Sequence, residues 1–419
     1  MLESTRREAN ELYVMFSLLA TGMVEMGDEV GRAKFQVPVA MVVRREHDGL
    51  RRYVIEGTEI HCTGPETNPG GAKIHCVGPE PNPGGTKIHC AGPETNPGGA
   101  KMHSSGPALN ASDTELHSTA PALDARFPRE DFRIAAEWLR RMLTDKEKSS
   151  SELLDISDLE GFLSALQIVD LEAQTEDRTD LHVALWSVNA PLLGLRIQSR
   201  LCGFTPLLDG GRTANLKFEQ TGIRFSSPAV HKINWTEQPG NVAEVARRIL
   251  YIESLGGVLK YCDVADKIFK SNLLVLDTNL PRILATMLML LHLDGIARID
   301  ELTAALEEKN PLKVKDELVR KHGLYRFKVR QLLLAAAWGM RPAKVFDGSA
   351  GAVGGYLMVD AAGGVLLYSR ADEQTFADYL FTHTRLEKSL PDESKYGYLE
   401  RENGAYYLKL NLKIGLIRR

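Results

Sequence analysis

A 14-residue unit repeats in tandem early in the chain. IHCTGPETNPGGAK (60–73) is followed by IHCVGPEPNPGGTK (74–87) and IHCAGPETNPGGAK (88–101), then by two eroded copies, MHSSGPALNASDTE (102–115) and LHSTAPALDARFPR (116–129). The intact copies are rich in proline and glycine and hold scarcely any large apolar residue beyond the isoleucine. Such a segment buries too little to offset the entropy of ordering it. The fold must therefore be assembled from the flanks. Residues 57–127 are predicted as a low-complexity insert on a surface loop, disordered or loosely turned, and deleting 60–125 is expected to leave folding intact. Each intact copy carries a His-Cys pair: His61/Cys62, His75/Cys76 and His89/Cys90. Imidazole and thiolate are zinc ligands, but paired C-x-x-C spacing is absent, so a low-complexity expansion is the better account.

The 419 residues suffice for two or three domains, and 43% hydrophobic with 25% charged residues is ordinary for a soluble globular protein. No run approaches the ~18–20 apolar residues of a membrane span, and the N-terminus has no apolar signal core. A cytoplasmic location is expected. Cys202 and Cys262 are isolated, so no disulfide framework is indicated. The net charge of −4 does not argue for nucleic acid. A local basic segment does: ten Lys/Arg between Lys309 and Lys344 face two acids, Asp316 and Glu317. A solvated helix face explains the same run equally simply.

Periodicity predicts helices at 3–21, 130–143, 156–166, 242–251, 263–276, 279–293, 298–308, 314–321, 329–339 and 372–382. In the first, Ser4 is the expected cap, and Glu8 and Glu11 project from one side. Ser157 with Glu160 fits a capping box at the third. Strands are predicted at 35–43 and 52–56, with Pro38 placing the former at a sheet edge or strand start. Further strands fall at 181–188, 193–201, 214–218, 355–359, 364–369 and 406–417. The fold class is mixed α/β (α+β), with a central sheet seeded by the hairpin at 181–201 and a largely helical C-terminal part.

That hairpin carries the chemistry. Asp180 stands at its entry. Its second strand alternates Leu193, Leu195, Ile197, Ser199 on one face with Gly194, Arg196, Gln198, Arg200 on the other. A polar loop, LLDGGRTAN (207–215), precedes the next strand. Phosphodiester hydrolysis uses a divalent metal to activate water and neutralise developing charge. Mg²⁺ is held by one or two carboxylates plus phosphate and water. Antiparallel neighbours only ~4.5–5.5 Å apart can hold an acid beside a water-orienting group. Asp180 with Arg196 and Gln198 has that layout without the full set of residue types, and an aspartate at a strand start is commonly a turn residue.

Outside 57–127 the chain resembles the HpaII-type restriction endonucleases. EANELYVMFSLL (8–19) resembles the family's opening E-W-S-E-[IL]-Y-x-x-F-x-L-L. Asp180 stands where the family has its K-[ST]-D-I entry, and GLRIQS (194–199) lines up with G-F-S-I-K-S. LLDGGRTAN resembles L-L-N-A-x-x-x-T-N. GYLMV (355–359) and KLNLKI (409–414) resemble G-G-Y-[IL]-x-V and K-L-N-L-Q-I-R-F. The resemblance implies a PD-(D/E)xK-like core, Mg²⁺ as cofactor, double-stranded DNA as partner and cleavage within CCGG. It implies Asp180 as metal ligand, Glu11 with Glu8 as further carboxylates, and Gln198 at the lysine position. Arg200, Arg212, Thr213 and Asn215, with Arg326, Lys328 and Arg330 of the basic segment, are expected DNA contacts. Three departures stand out: Gln198 for lysine, Arg196 for a small polar residue, and Lys-Ile-Gly-Leu for Q-I-R-F.

The expected organisation is core helix and strands at 1–56, the insert at 57–127, the nuclease core at 128–275 and a DNA-binding region at 276–419. The expected function is that of a type II restriction endonuclease, a homodimer paired in its system with a cognate cytosine methyltransferase. A catalytically weakened or inactive DNA-binding relative is the alternative. A helical binding protein whose basic segment meets an acidic partner is a third.

Overall fold

The computed structural model describes residues 2–66, 122–145, 153–173, 179–235, 241–348 and 353–417. Its largest sheet has nine strands: β1 (Met23–Gly27), β2 (Ala33–Glu46), β3 (Gly49–Glu56), β4 (Glu59–Glu66), β5 (Leu123–Pro128), β6 (Leu181–Leu185), β7 (Leu193–Ser199), β8 (Val353–Val359) and β9 (Val365–Ser369). Their order is β1-β9-β8-β7-β6-β2-β3-β4-β5. β8 runs parallel to β7 and β9 parallel to β1, while the other pairings are antiparallel. β1 also pairs with the start of β2, so six strands close on themselves and β3–β5 extend outward. The fold class is the expected α+β.

Pro38 does not mark a strand start. It lies within the 14-residue β2 and pairs with Met23. Pairing along β2 passes from β1 to β6 and β3 just beyond it. A residue without an N–H is tolerated where the ladder changes partner.

The sheet separates two cores. Side-chain alternation along β8 sends Leu357 and Val359 to one and Tyr356 and Met358 to the other. On the first face lies α1 (Arg6–Thr21), whose Leu12, Met15, Phe16 and Leu19 are wholly buried as the period predicts. It packs on α2 (Arg129–Thr144) through an edge-to-face Phe16–Phe132 contact at 5.7 Å. The cap of α1 is Thr5 rather than Ser4: Glu8 N–H donates to Thr5 Oγ1 at 3.2 Å, and Thr5 N–H donates to Glu8 Oε2 at 2.6 Å. The predicted capping box at Ser157 is absent, because Ser157 Oγ instead accepts from Leu2 N–H at 2.8 Å.

On the other face lie the helices Lys267–Leu276, Leu280–Leu293, Ile299–Lys309, Leu324–Ala337 and Glu373–His383, with a four-stranded sheet ordered Val258–Val264, Asn215–Thr221, Ala405–Asn411, Leu399–Glu402. Residues 263–264, expected to open a helix, end a strand; Asp266 caps the helix with bonds from Ile268 and Phe269 N–H. No single described helix is long and apolar enough to cross a membrane.

Strand structure reaches further into the repeat than its composition predicts. β4 and β5 pair from Glu59↔Pro128 to Gly64↔Leu123, with Ile60 and Cys62 fully buried beneath them. The eroded last copy carries apolar residues, Leu123 and Phe127, that pack into the core as it joins the sheet. In the first copy His61 and Cys62 point to opposite faces. His61 Nε2 lies 2.6 Å from Asp124 Oδ1, while burial pushes the Cys62 thiol up to about 12. That pair cannot chelate one ion. The pairs at His75/Cys76 and His89/Cys90 lie outside the described residues.

Candidate active site

α1 and the hairpin β6–β7 meet at a cleft of about 270 Å³. Arg7, Asn10 and Glu11 enter it from the helix, Asp180 from the hairpin entry, and Arg196 and Gln198 from β7. Spacing of three and four residues puts the helix trio on one side. The helix is pinned to β7 by Ser199 Oγ donating to Asn10 Oδ1 at 2.7 Å.

Asp180 is clamped to β7 by two bonds. Its N–H donates to Leu195 O at 2.8 Å, and its Oδ2 accepts from Ile197 N–H at 2.6 Å. Arg7 Nη2 lies 3.8 Å from Oδ1 while pairing with Glu172 at 3.0 Å. Burial raises the Asp180 pKa; the Ile197 N–H, Arg196 and Arg7 oppose that rise.

Glu11 is only 3% exposed. Its Oε1 accepts from Ala173 N–H at 2.8 Å and forms a 3.4 Å ion pair with Arg44 Nε. Burial lifts its pKa to about 8, with Arg44 pulling it down and the Asp180 charge pushing it up. Arg44 is fully buried and also holds Glu46 and the carbonyls of Asp170 and Leu171. It thus ties α1 to the segment that leads into the hairpin.

The two departures on β7 behave differently. Gln198, 1% exposed, donates through Nε2 to Thr205 Oγ1 at 2.6 Å and accepts through Oε1 from Thr205 N–H at 3.0 Å. Gly203, at φ 85°, lets the chain turn back for this. Arg196 places its guanidinium 5.9 Å from the Tyr356 ring centre, and its charge reaches Asp180.

Other candidates lie elsewhere or carry structural duties. Glu8 is engaged in the helix cap. Arg200 borders a small neighbouring cavity with Tyr379 and His383. Thr213 Oγ1 donates to Gly210 O at 2.7 Å, and Arg212 is exposed. Asn215 is buried: its Nδ2 donates to Ser394 O and Lys395 O, and its Oδ1 accepts from Asn411. Of the basic segment, Arg326 and Arg330 pair with Asp378, and Lys328 with Asp277. Arg7, Arg44 and Thr205 went unpredicted. Arg7 stands four residues before Glu11, so helical spacing was a usable signal; the other two needed tertiary contacts.

Fold and cleft together define an α+β protein with two carboxylates converging beside the central hairpin of a mixed sheet. A family model described as HpaII restriction endonuclease matches residues 114–416. The type II restriction enzyme HpaII of Haemophilus parainfluenzae is 29% identical over 272 residues, which cover 64% of this chain and 73% of that protein. No solved structure matches. The chain belongs to the HpaII restriction endonuclease family. That membership makes it a nuclease whose partner is DNA.

The family's chemistry usually requires a divalent metal. Among the described residues no group of three or more His, Cys, Asp and Glu side chains converges as a cation cage. Asp180 and Glu11 are two oxygen donors at one cleft. That number suits an ion that keeps most of its waters, and the mutual repulsion of their charges is what a cation would relieve.

Proposed function

We propose that this protein is a type II site-specific restriction endonuclease that hydrolyses double-stranded DNA with Mg²⁺, at CCGG. The observation that carries the reading is the convergence of Glu11 and Asp180, from elements far apart in sequence, on a cleft lined with Arg7 and Arg196. Asp180 and Glu11 would hold the ion. When bound, Mg²⁺ supplies Lewis-acid charge neutralisation and an acidified water. The chain's own groups do the rest. Arg196, steadied against Tyr356, and Arg7, half exposed at the rim, are placed to meet phosphate oxygens. Glu11, raised to about 8 without an ion, would take up the cation in competition with a proton. CCGG comes from the family resemblance. A palindromic site favours a two-fold dimer, and an active cutter needs a cytosine methyltransferase to protect its host in the cytoplasm.

A second reading, a relative that binds DNA but cuts weakly, is favoured by Gln198. Its amide is engaged at both ends and carries no charge, so it cannot take over a lysine's role. Plasmid cleavage in Mg²⁺, wild type beside Asp180→Ala, separates the two. Cutting by wild type alone supports the first. CCGG binding by both with cutting by neither establishes the second.

A further inference from the structure

A second cleft lies away from the paired carboxylates. It encloses about 460 Å³ between the turn that follows the strand Asn215–Thr221 and the hairpin of Leu399–Glu402 with Ala405–Asn411. Arg224 enters from the turn and Arg401 from the hairpin. Charge is sorted here by strand alternation. Glu400 and Glu402 point to one face, where Lys409 pairs with both and Lys217 joins Glu402. Arg401, between them, points to the opposite face. Apart from Arg224, its neighbours there are neutral: its register partner Tyr406, together with Gln220, Ser226 and Ser227. Among the described residues, neither Arg224 nor Arg401 has an ion pair. Most other cationic side chains on this small sheet are matched by acids, so two unmatched guanidiniums in one concave polar site mark a place where an anion is missing from the chain itself.

We propose that this cleft is a phosphate-binding site, in which Arg224 and Arg401 grip the DNA backbone remote from the point of cleavage. The strand Asn215–Thr221 leads to it from the loop beside Thr205, and its seven residues span about 20 Å at ~3.3 Å each. Guanidinium forks with serine hydroxyls nearby are the donors that a phosphodiester oxygen takes. The contact would add affinity without reading sequence.

This rests on the nuclease reading, and the test separates the two. Binding of a short CCGG duplex, in chelator so that nothing is cut, is measured over a salt series. Each neutralised phosphate contributes about −0.9 to the slope of log K against log salt. Wild type should be steep. The full-length Arg224→Gln/Arg401→Gln double variant should lose about 1.8 from the slope, and the Arg224→Lys/Arg401→Lys variant should recover it. Thermal melting confirms that these surface changes leave the fold intact. A steep wild-type slope unchanged in the glutamine variant overturns the proposal and leaves the nuclease reading standing. A wild-type slope near zero removes both. If the glutamine variant keeps its slope but loses calorimetric binding of inorganic phosphate, the site serves free phosphate and the backbone grip is wrong.

Discussion

Gln198 and Thr205 exchange two hydrogen bonds, Nε2 to Oγ1 at 2.6 Å and backbone N–H to Oε1 at 3.0 Å. A side chain that the family resemblance assigns to the lysine position is the clip of the loop after β7. If the proposed function holds, chemistry and loop geometry are coupled at one position.

Gln198→Lys is therefore expected to act in two opposite ways. Losing the clip should cost about 1–3 kcal/mol of stability, seen in urea unfolding. Restoring a cation in the cleft with Asp180 should raise Mg²⁺-dependent cutting by about 10²–10⁴-fold, the range of a positioned proton-transfer group. A stable Gln198→Lys variant cutting no faster than wild type would show that this position has left the chemistry.

Glu11 predicts a stability that falls as pH rises. Its folded pKa, about 8, stands above its ordinary value near 4.5. Between those values the folded state holds more proton than the unfolded chain, so unfolding free energy declines with pH, by at most ~1.4 kcal/mol per unit. Below 4.5 and above 8 the contribution is flat. Glu11→Gln should flatten the curve in that window, measured by denaturant melts at stepped pH. An identical slope in the variant would refute the assignment.

Metal and proton compete for the same carboxylate. With the Glu11 pKa raised to about 8, the cutting rate at low Mg²⁺ is expected to rise on the alkaline side, and that rise should move to lower pH as Mg²⁺ increases. A limb that stays put across a wide Mg²⁺ range would remove Glu11 from the ligand set.

Arg44→Met leaves Glu46 and Glu11 buried without their cation. A loss of about 3–5 kcal/mol is expected. Arg44→Lys should recover only part of it, because an ammonium has three donors at one point while Arg44 serves four acceptors: Glu11, Glu46 and the carbonyls of Asp170 and Leu171. Full recovery by lysine would mean that charge alone matters there.

Removal of 60–125 is now expected to fail, contrary to the reading from composition, because it deletes most of β4 and half of β5. Ile60 and Leu123 alone each bury side chains worth roughly 1.5–3 kcal/mol. Replacing 67–121 by a short glycine turn should leave the melting temperature nearly unchanged. Soluble, cooperative unfolding of the longer deletion would contradict this.

The periodic parts were legible from sequence: α1 from Leu12, Met15, Phe16 and Leu19, the hairpin from its alternation, and the meeting of Glu11 with Asp180 from resemblance. β1 was not, because MVEMG is short and does not alternate. Asn215 misled in a different way. A loop asparagine suggests a ligand contact, but its amide is satisfied by Ser394, Lys395 and Asn411, which the sequence holds far away. Arg326, Lys328 and Arg330 looked like a free basic run because Asp277 and Asp378, their neutralising acids, come from other segments. Local pattern reports what a residue can do; partners from distant segments decide which of those things it does.

The ladder from Glu59↔Pro128 to Gly64↔Leu123 gives the tandem units an evolutionary freedom. It pairs the start of the first copy with the end of the last, so gaining or losing a copy between them changes only the length enclosed. Closing a loop twice as long costs only about 0.6 kcal/mol more. Copy number can therefore drift by replication slippage, always in whole 14-residue steps that preserve the reading frame, while selection on the cleft stays blind to it.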